Sequence, residues 1–295
     1  MHNLIISNAS SGGSKQEQIE AIGGVFEELG AVTHLQPPSL QSFDEDVRRA
    51  AKGKDLVVVA GGDGTLNCAL NALAEDLGDM TLAVIPMGTG NDFARSIGLP
   101  EDPMDAAASV VRGRVDELDY GRASGPRVER LFLNACMGGF PVSVNRAIDE
   151  DVKKRLGPLA FWVGGAKAAA KMPQFHVTID GVDIEDCIAV GIGNGQTAGG
   201  GIPVFPDADP GDGRFECCAM QVSNVLEGIE MAAKVRTGDH IPLENVKTTA
   251  GRRIEVASEP ALEFNVDGDL IDLRTPAVFE LAGRIKMRVP GPSTT

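Results

Sequence analysis

Apolar positions follow two different rhythms along this chain. In the first half, short solid apolar runs alternate with longer stretches where apolar residues recur every three or four positions. Leu4–Ser7, Ala31–Leu35, Leu56–Val59 and Thr81–Ile85 read as strands. Between them, Gln16–Leu29 carries Ile19, Ile22, Phe26 and Leu29 near the 3.6-residue period and reads as a helix. Phe43–Ala51 and Leu66–Leu77 also read as helices, and Asp92–Ile97 opens another. Strands alternating with helices predict an α/β domain whose parallel sheet is covered on both faces.

From about Ala123 the rhythm shortens. Arg130–Asn134, Gln174–Ile179, Cys187–Ile192, Phe215–Met220, Arg253–Ala257, Leu262–Val266, Phe279–Leu281 and Ile285–Val289 are β-rich runs, separated by DG, NG and GGG turn signals. A helical insert, from about Lys153 to Lys171, interrupts them. This half predicts an antiparallel β-sandwich. The expected division is residues 1–122 for the α/β domain, with 276–295 as candidates to rejoin it, and 123–275 for the β domain.

Composition narrows the classes. The chain has 295 residues, 43% of them apolar, enough for a sizeable core, and a net charge of −15. That charge argues against a nucleic-acid partner and gives no global attraction to anionic membranes. No apolar run approaches the roughly 18 residues of a membrane span. The opening MHNLIISN is too weakly apolar for a secretory signal. The expectation is a soluble, cytoplasmic protein. The five cysteines are scattered without a C-x-x-C pair and read as buried free thiols, while the four histidines lack ligand spacing. Any metal would be held by oxygen, which points to Mg²⁺ or Ca²⁺.

Three strand ends in the first half meet small-residue turns that lead into helices: NASSGG, GGDGT and GTGND. Ligands of open parallel sheets bind beyond the carboxyl ends of strands, and helix N-termini present amides to phosphate. Gly61, Gly62 and Gly64 suit a turn wrapped around phosphate oxygens, and Thr65 suits a phosphate contact or a helix cap. Asp63 would repel phosphate directly, so a role for it needs a bridging Mg²⁺ or an ordered water. The competing reading is that such turns only reverse the chain. Neither G-x-x-x-x-G-K-[ST] nor G-x-G-x-x-G spacing is present.

GGDGTLN, PMGTGNDFAR, NGQTAGGG, PDADPGDG and FNVDGD occur in the order seen in the diacylglycerol kinase catalytic-domain family, which this chain resembles nearly end to end. GGDGT alone is shared with NAD kinases and is similar to a phosphofructokinase motif; GTGNDFA is more specific. The resemblance implies a Rossmann-like, phosphofructokinase-like first domain, with ATP bound in the cleft between the two domains. It implies nucleotide contacts at Asn8, Ser11 and Gly12, at Gly61, Gly62, Asp63, Gly64, Thr65 and Asn67, and at Gly88, Thr89 and Asn91. Four sites depart from the family pattern. Ala9 replaces a proline, Cys68 replaces a glutamate near the nucleotide, Pro37-Pro38 replace a threonine for which Ser39 is a substitute, and Asp269 replaces a glutamate.

Phosphoryl transfer needs charge neutralisation and a base. The Gly-punctuated acids of FPDADPGDGRF suit a hard cation or an ordinary surface turn. The resemblance implies a structural Mg²⁺ at Asp209, Asp212 and the carbonyl of Arg214. It also implies that Asp119 joins a Mg²⁺–water network with Asp63. Asp267-Gly268-Asp269 closes a strand-like run. If the strand continues, both carboxylates share a face; an Asp-Gly hairpin is the alternative. The resemblance places the catalytic base here, at Asp267 or Asp269. The bulk-free Asn194–Gly201 reads as cleft lining. Lys153–Pro173, which holds Trp162, reads as a helix on the sandwich or a membrane-interface segment.

The expected function is ATP-dependent phosphorylation of a lipid hydroxyl, most simply diacylglycerol, at the inner face of the membrane by peripheral contact. An NAD kinase-like enzyme and a non-catalytic nucleotide or lipid sensor are the alternatives. A homodimer is an open alternative to a monomer.

Overall fold

The computed structural model describes residues 1–7, 13–139 and 174–291. Asn8, Ser11, Gly12 and the Lys153–Pro173 segment with Trp162 lie outside the described residues. Contacts divide the chain into two units. One comprises Met1–Tyr120 and Gly283–Thr295, the other Gly121–Ala282.

The first unit is built on parallel strands β1 (His2–Ser7), β2 (Ala31–Leu35), β3 (Leu56–Gly61) and β4 (Thr81–Pro86) in the order β2-β1-β3-β4. The far end of the last strand, β15 (Ala277–Val289), adds beside β4, with Lys286 opposite Thr81 and Met287 opposite Leu82. All six residues of β3 are buried, which is what a solid apolar run requires in a sheet covered on both sides. The cover comes from α1 (Gly13–Phe26), α2 (Leu40–Ala51), α3 (Asp63–Ala72) and α5 (Pro103–Arg112); α2 packs on α3, and α1 on α5. The short α4 (Asp92–Ser96) follows the turn after β4.

Caps set these helices. Ser39 accepts from the Ser42 amide at the start of α2, so its side chain serves the helix. Asp102 accepts from the amides of Met104 and Asp105 ahead of Pro103 at the start of α5. α3 begins at Asp63, three residues before the apolar period starts, and stops at Ala72 rather than Leu77.

The second unit is antiparallel. Its strands are β5 (Arg114–Ser124, entering from the first unit), β6 (Glu129–Phe132), β7 (Ala135–Gly139), β8 (Phe175–Ile179), β9 (Val182–Gly193), β10 (Phe215–Gln221), β11 (Val246–Gly251), β12 (Arg253–Glu259), β13 (Glu263–Val266), β14 (Asp269–Arg274) and β15. They run in the order β14-β13-β7-β9-β8-β12-β15, with β10 between β9 and β11 and β6 on β5. The principal core contains Phe132, Phe215, Phe264 and Phe279, with tilted ring pairs 5.1 Å and 5.0 Å apart. A second core gathers Met137, Phe205, Cys218, Met220 and Met231. Along β10, Cys217 and Ala219 face the first core and Cys218 and Met220 the second. Its middle is therefore buried on both faces, and the simple sandwich gains a third layer.

That layer includes α6 (Val225–Thr237), a helix the β-rich reading of this half omits. Its signals are present: Asn224 accepts from the amides of Leu226 and Glu227, Glu227 reaches back to the Ser223 amide, and Gly238 ends it left-handed at φ 80°. Four cysteines are buried and Cys68 is partly exposed. Burial pushes the Cys187 thiol up to about 11 and that of Cys218 up to about 12.

Candidate active site

The GGDGT and GTGND turns end adjacent parallel strands, and the backbone binds them together. The Met87 amide donates to the Gly61 carbonyl at 3.0 Å. A Cβ on Gly88 would lie 2.5 Å from the Gly62 Cα, so neither position admits a side chain. A Cβ on Gly61 would meet the Thr65 side chain at 2.8 Å, since Thr65 folds back over the turn. Asn67 is fully buried in α3, and its side-chain oxygen accepts from Asn71 Nδ2 at 3.2 Å.

In the second turn Asn91 is left-handed at φ 53° and brackets Gly88: Oδ1 accepts from the Gly88 amide and Nδ2 donates to its carbonyl, both at 2.9 Å. The Gly88 amide is therefore already taken, and its missing side chain makes room for the Gly62 backbone. Asp63 Oδ2 accepts from the Asp92 amide at 3.2 Å, and Oδ1 from that of Phe93 at 3.3 Å. Arg95 Nη1 donates to the Gly90 carbonyl at 2.9 Å and Nη2 to Glu101 at 3.0 Å. Gly88, Thr89, Asn91, Arg95 and Leu99 line a cavity of about 240 Å³. Arg95 lies within the quoted PMGTGNDFAR but carries no expected role from sequence.

Asp119, expected in a metal–water network with Asp63, is buried on β5, where its Oδ1 accepts from Arg284 Nε at 3.0 Å. No sequence signal links the two residues, which stand 165 positions apart.

In the second unit the Asp267-Gly268-Asp269 strand does not continue. Asp267 and Gly268 take φ of 47° and 87° and form the hairpin turn between β13 and β14, with Val266 opposite Asp269. Both turn residues need the left-handed region, which Asp and Gly tolerate best. The two acids then diverge in environment. The Asp267 carboxylate is buried: Oδ2 accepts from the Leu133 amide at 2.9 Å, and Oδ1 from those of Asn134 at 2.9 Å and Ala135 at 3.0 Å. Asp269 is half-buried; burial raises its pKa above the ordinary aspartate value, and Arg130 opposes the rise.

Asn194 is fully buried, with Nδ2 donating to the Leu133 carbonyl at 2.6 Å, and the Asn194 and Gly195 amides both donate to the Asn134 carbonyl. Gly199, Gly200 and Gly201 all take positive φ, a tight bend closed by the Ala198 amide on the Ile202 carbonyl. The Leu133–Ala135 corner thus ties this stretch to the Asp267 turn.

Among the described residues, no group of three or more His, Cys, Asp and Glu side chains is arranged to hold a metal. The Asp209–Arg214 loop offers two exposed carboxylates. Asp209 Oδ1 accepts from the Gly211 amide at 2.9 Å, and Asp212 accepts from the Arg214 amide and from its Nε. Nearby Glu216 has a raised pKa, first from burial; Arg214 lowers it, while Asp212 and Asp207 raise it. The loop therefore carries excess negative charge of the hard-oxygen kind that suits Mg²⁺.

Two family models match successive parts of the chain. Residues 2–123 match the model of the diacylglycerol kinase catalytic domain, and residues 134–285 that of the YegS C-terminal NAD kinase beta sandwich-like domain. The chain is 34% identical over 249 residues to "Probable lipid kinase YegS-like" of Stenotrophomonas maltophilia (strain K279a), covering 81% of this chain and 80% of the relative. It is 30% identical over 250 residues to "Diacylglycerol kinase" of Bacillus subtilis (strain 168), covering 83% and 81%. A crystal structure from Bacillus anthracis str. Sterne superposes with a TM-score of 0.82 at 26% identity, over 99% of this chain and 98% of that one. A second, of a diacylglycerol kinase from the same strain, gives 0.78 at 24% identity over 100% and 98%, and bears on the fold alone. On these grounds the chain belongs to the YegS and diacylglycerol kinase family of lipid kinases.

Proposed function

We propose that this lipid kinase moves the γ-phosphate of ATP to the hydroxyl of diacylglycerol. The observation that carries the reading is the pair of interlocked glycine turns at the ends of β3 and β4, where Gly62 and Gly88 pack with no room for a side chain and the helices α3 and α4 begin. Thr89 and Thr65 supply hydroxyls beside them, and the family resemblance assigns further nucleotide contacts to Asn8, Ser11 and Gly12.

Asp269 is the base. Its carboxylate takes the proton of the acceptor hydroxyl as that oxygen bonds to the γ-phosphorus, while the bond to the bridging oxygen breaks and ADP leaves. A base needs an unshared lone pair at the substrate and a pKa near working pH. Burial moves Asp269 in that direction. Asp267, with both oxygens on main-chain amides, is the anchor of the turn that presents it. Mg²⁺, if bound, would neutralise carboxylate charge. Asp209, Asp212 and the Arg214 carbonyl would hold it, with Arg214 Nε leaving Asp212 Oδ2.

The test is transfer from radiolabelled ATP to a panel of diacylglycerol, phosphatidylglycerol, ceramide and a sphingoid base, with NAD as the control acceptor. Label in phosphatidic acid is the expected result. Label in NAD, or none anywhere, rejects the reading. Contact with the membrane surface is part of the proposal, and flotation with anionic vesicles checks it.

A further inference from the structure

We infer that Asp63 is a positioning residue, holding the second glycine turn in register with the first, rather than a ligand of a phosphate-bound cation. The inference rests on the reading that the paired turns hold the nucleotide.

The start of α4 has a capping problem that its own sequence does not solve. The first amides of a helix have no partner within it, and the residue before the helix normally supplies one. Here that residue is Asn91. It sits in the left-handed region at φ 53°, makes no cap bond, and uses both ends of its amide on Gly88. Asp63 fills the gap from another element. Its two oxygens accept from Asp92 and Phe93, 29 and 30 residues further along the chain. A carboxylate at a helix N-terminus is also favoured by the peptide dipoles.

The clamp has company. The Met87 amide on the Gly61 carbonyl joins the strand ends, and Gly62 lies against Gly88 with no space for a Cβ. Arg95, on α4 itself, holds the Gly90 carbonyl. Moving α4 therefore moves Gly88–Asn91, and Asp63 is a side chain that ties α4 to the first turn. This also answers the charge problem of an aspartate within a phosphate-binding turn. Each of its carboxylate oxygens faces a main-chain donor.

The two roles for Asp63 predict opposite signs in the absence of metal. If the carboxylate faced a phosphate-bound cation, removing it would leave metal-free nucleotide binding unchanged or tighter, because a like charge is gone. If it positions the turn, removing it weakens binding with or without metal. We would measure ADP binding by calorimetry in EDTA and in Mg²⁺ for the wild type, Asp63→Ala, Asp63→Asn and Gly88→Ala. Amide hydrogen exchange at Asp92 and Phe93 would be followed in each.

Asp63→Ala is expected to weaken ADP roughly ten-fold under both conditions, the size of a lost cap. It should also lose protection at Asp92 and Phe93. Asp63→Asn keeps one acceptor oxygen and falls between. Gly88→Ala separates the turns sterically with the carboxylate intact and should weaken ADP likewise. In turnover, KM for ATP rises and KM for the lipid stays put. Unchanged or tighter ADP binding by Asp63→Ala in EDTA, with loss confined to Mg²⁺, overturns the inference. So does undiminished protection at Asp92 and Phe93. A wild type that binds no ADP in either condition would instead sink the nucleotide reading, and the exchange data would still decide the clamp.

Discussion

Replacing Asp267 tests the division of labour between the two hairpin acids. The carboxylate accepts three amide bonds of 2.9–3.0 Å, all from buried residues. In Asp267→Ala those three donors lose their acceptor together, at roughly 1–3 kcal/mol for each buried group left unsatisfied. Water entering the space returns part of this, so the lower end of the sum, about 3–5 kcal/mol, is the working figure. Alanine at φ 47° adds about 1 kcal/mol, because it has no polar side chain to support the left-handed region. Against a total stability of about 5–15 kcal/mol the loss is large. Asp267→Asn is milder but not neutral. Its oxygen can keep Asn134 and Ala135, which share Oδ1 of the aspartate, while its NH₂ then faces the Leu133 amide donor-to-donor. The expected order is wild type, then Asn, then Ala. Urea unfolding gives the midpoints, and hydrogen exchange at Leu133, Asn134 and Ala135 localises the effect. An Ala variant with an unmoved midpoint and unchanged exchange at those three amides would refute the reasoning.

Asp269→Asn should abolish transfer and yet stabilise the fold at neutral pH. The folded pKa of Asp269 is raised, so between the ordinary aspartate value and that raised value the native state binds more protons, and stability falls as pH rises through the window. Thermal melts from pH 3 to 8 should show that downward contribution in the wild type and its absence in the variant, while kcat of the wild type rises with pH over the same limb. Arg284→Gln removes a guanidinium that pairs with the buried Asp119. Because Arg284 is about half exposed, the cost is discounted to about 1–3 kcal/mol, and Asp119→Asn in the same background should recover most of it in a melting assay. Of the five thiols, Cys68 should react first with a disulfide reagent, while Cys136, Cys187, Cys217 and Cys218 react only on unfolding, since burial holds all four thiols protonated.

Most of the first unit is legible from hydrophobic rhythm, because a parallel strand buried on both faces must be solidly apolar. Leu56–Val59 and Thr81–Ile85 leave little choice. The second unit is less legible for the same physical reason in reverse. β11 is exposed along most of its length and reads Val-Lys-Thr-Thr-Ala-Gly, with too few apolar positions to set a period. β15 reads as two strands because Gly283, packed against the Tyr120 ring, interrupts the apolar run without interrupting the backbone. At the site, residue types marked the places but not the partners. Asp63 and Asp267 both stand out in sequence as acids beside glycines. That each is aimed at main-chain amides depends on chain brought from 29 and more than 130 residues away. Arg284 has no local signal at all.

The first unit is completed by the last strand. β4 acquires its outer neighbour only when Lys286 and Met287 arrive, after the whole β-rich unit has been made. A ribosome therefore releases the α/β half with one flank open, and the growing chain must wait for β15 before that flank closes. Residues 1–120 expressed alone would keep an apolar, unpaired border at β4, the kind that invites intermolecular pairing.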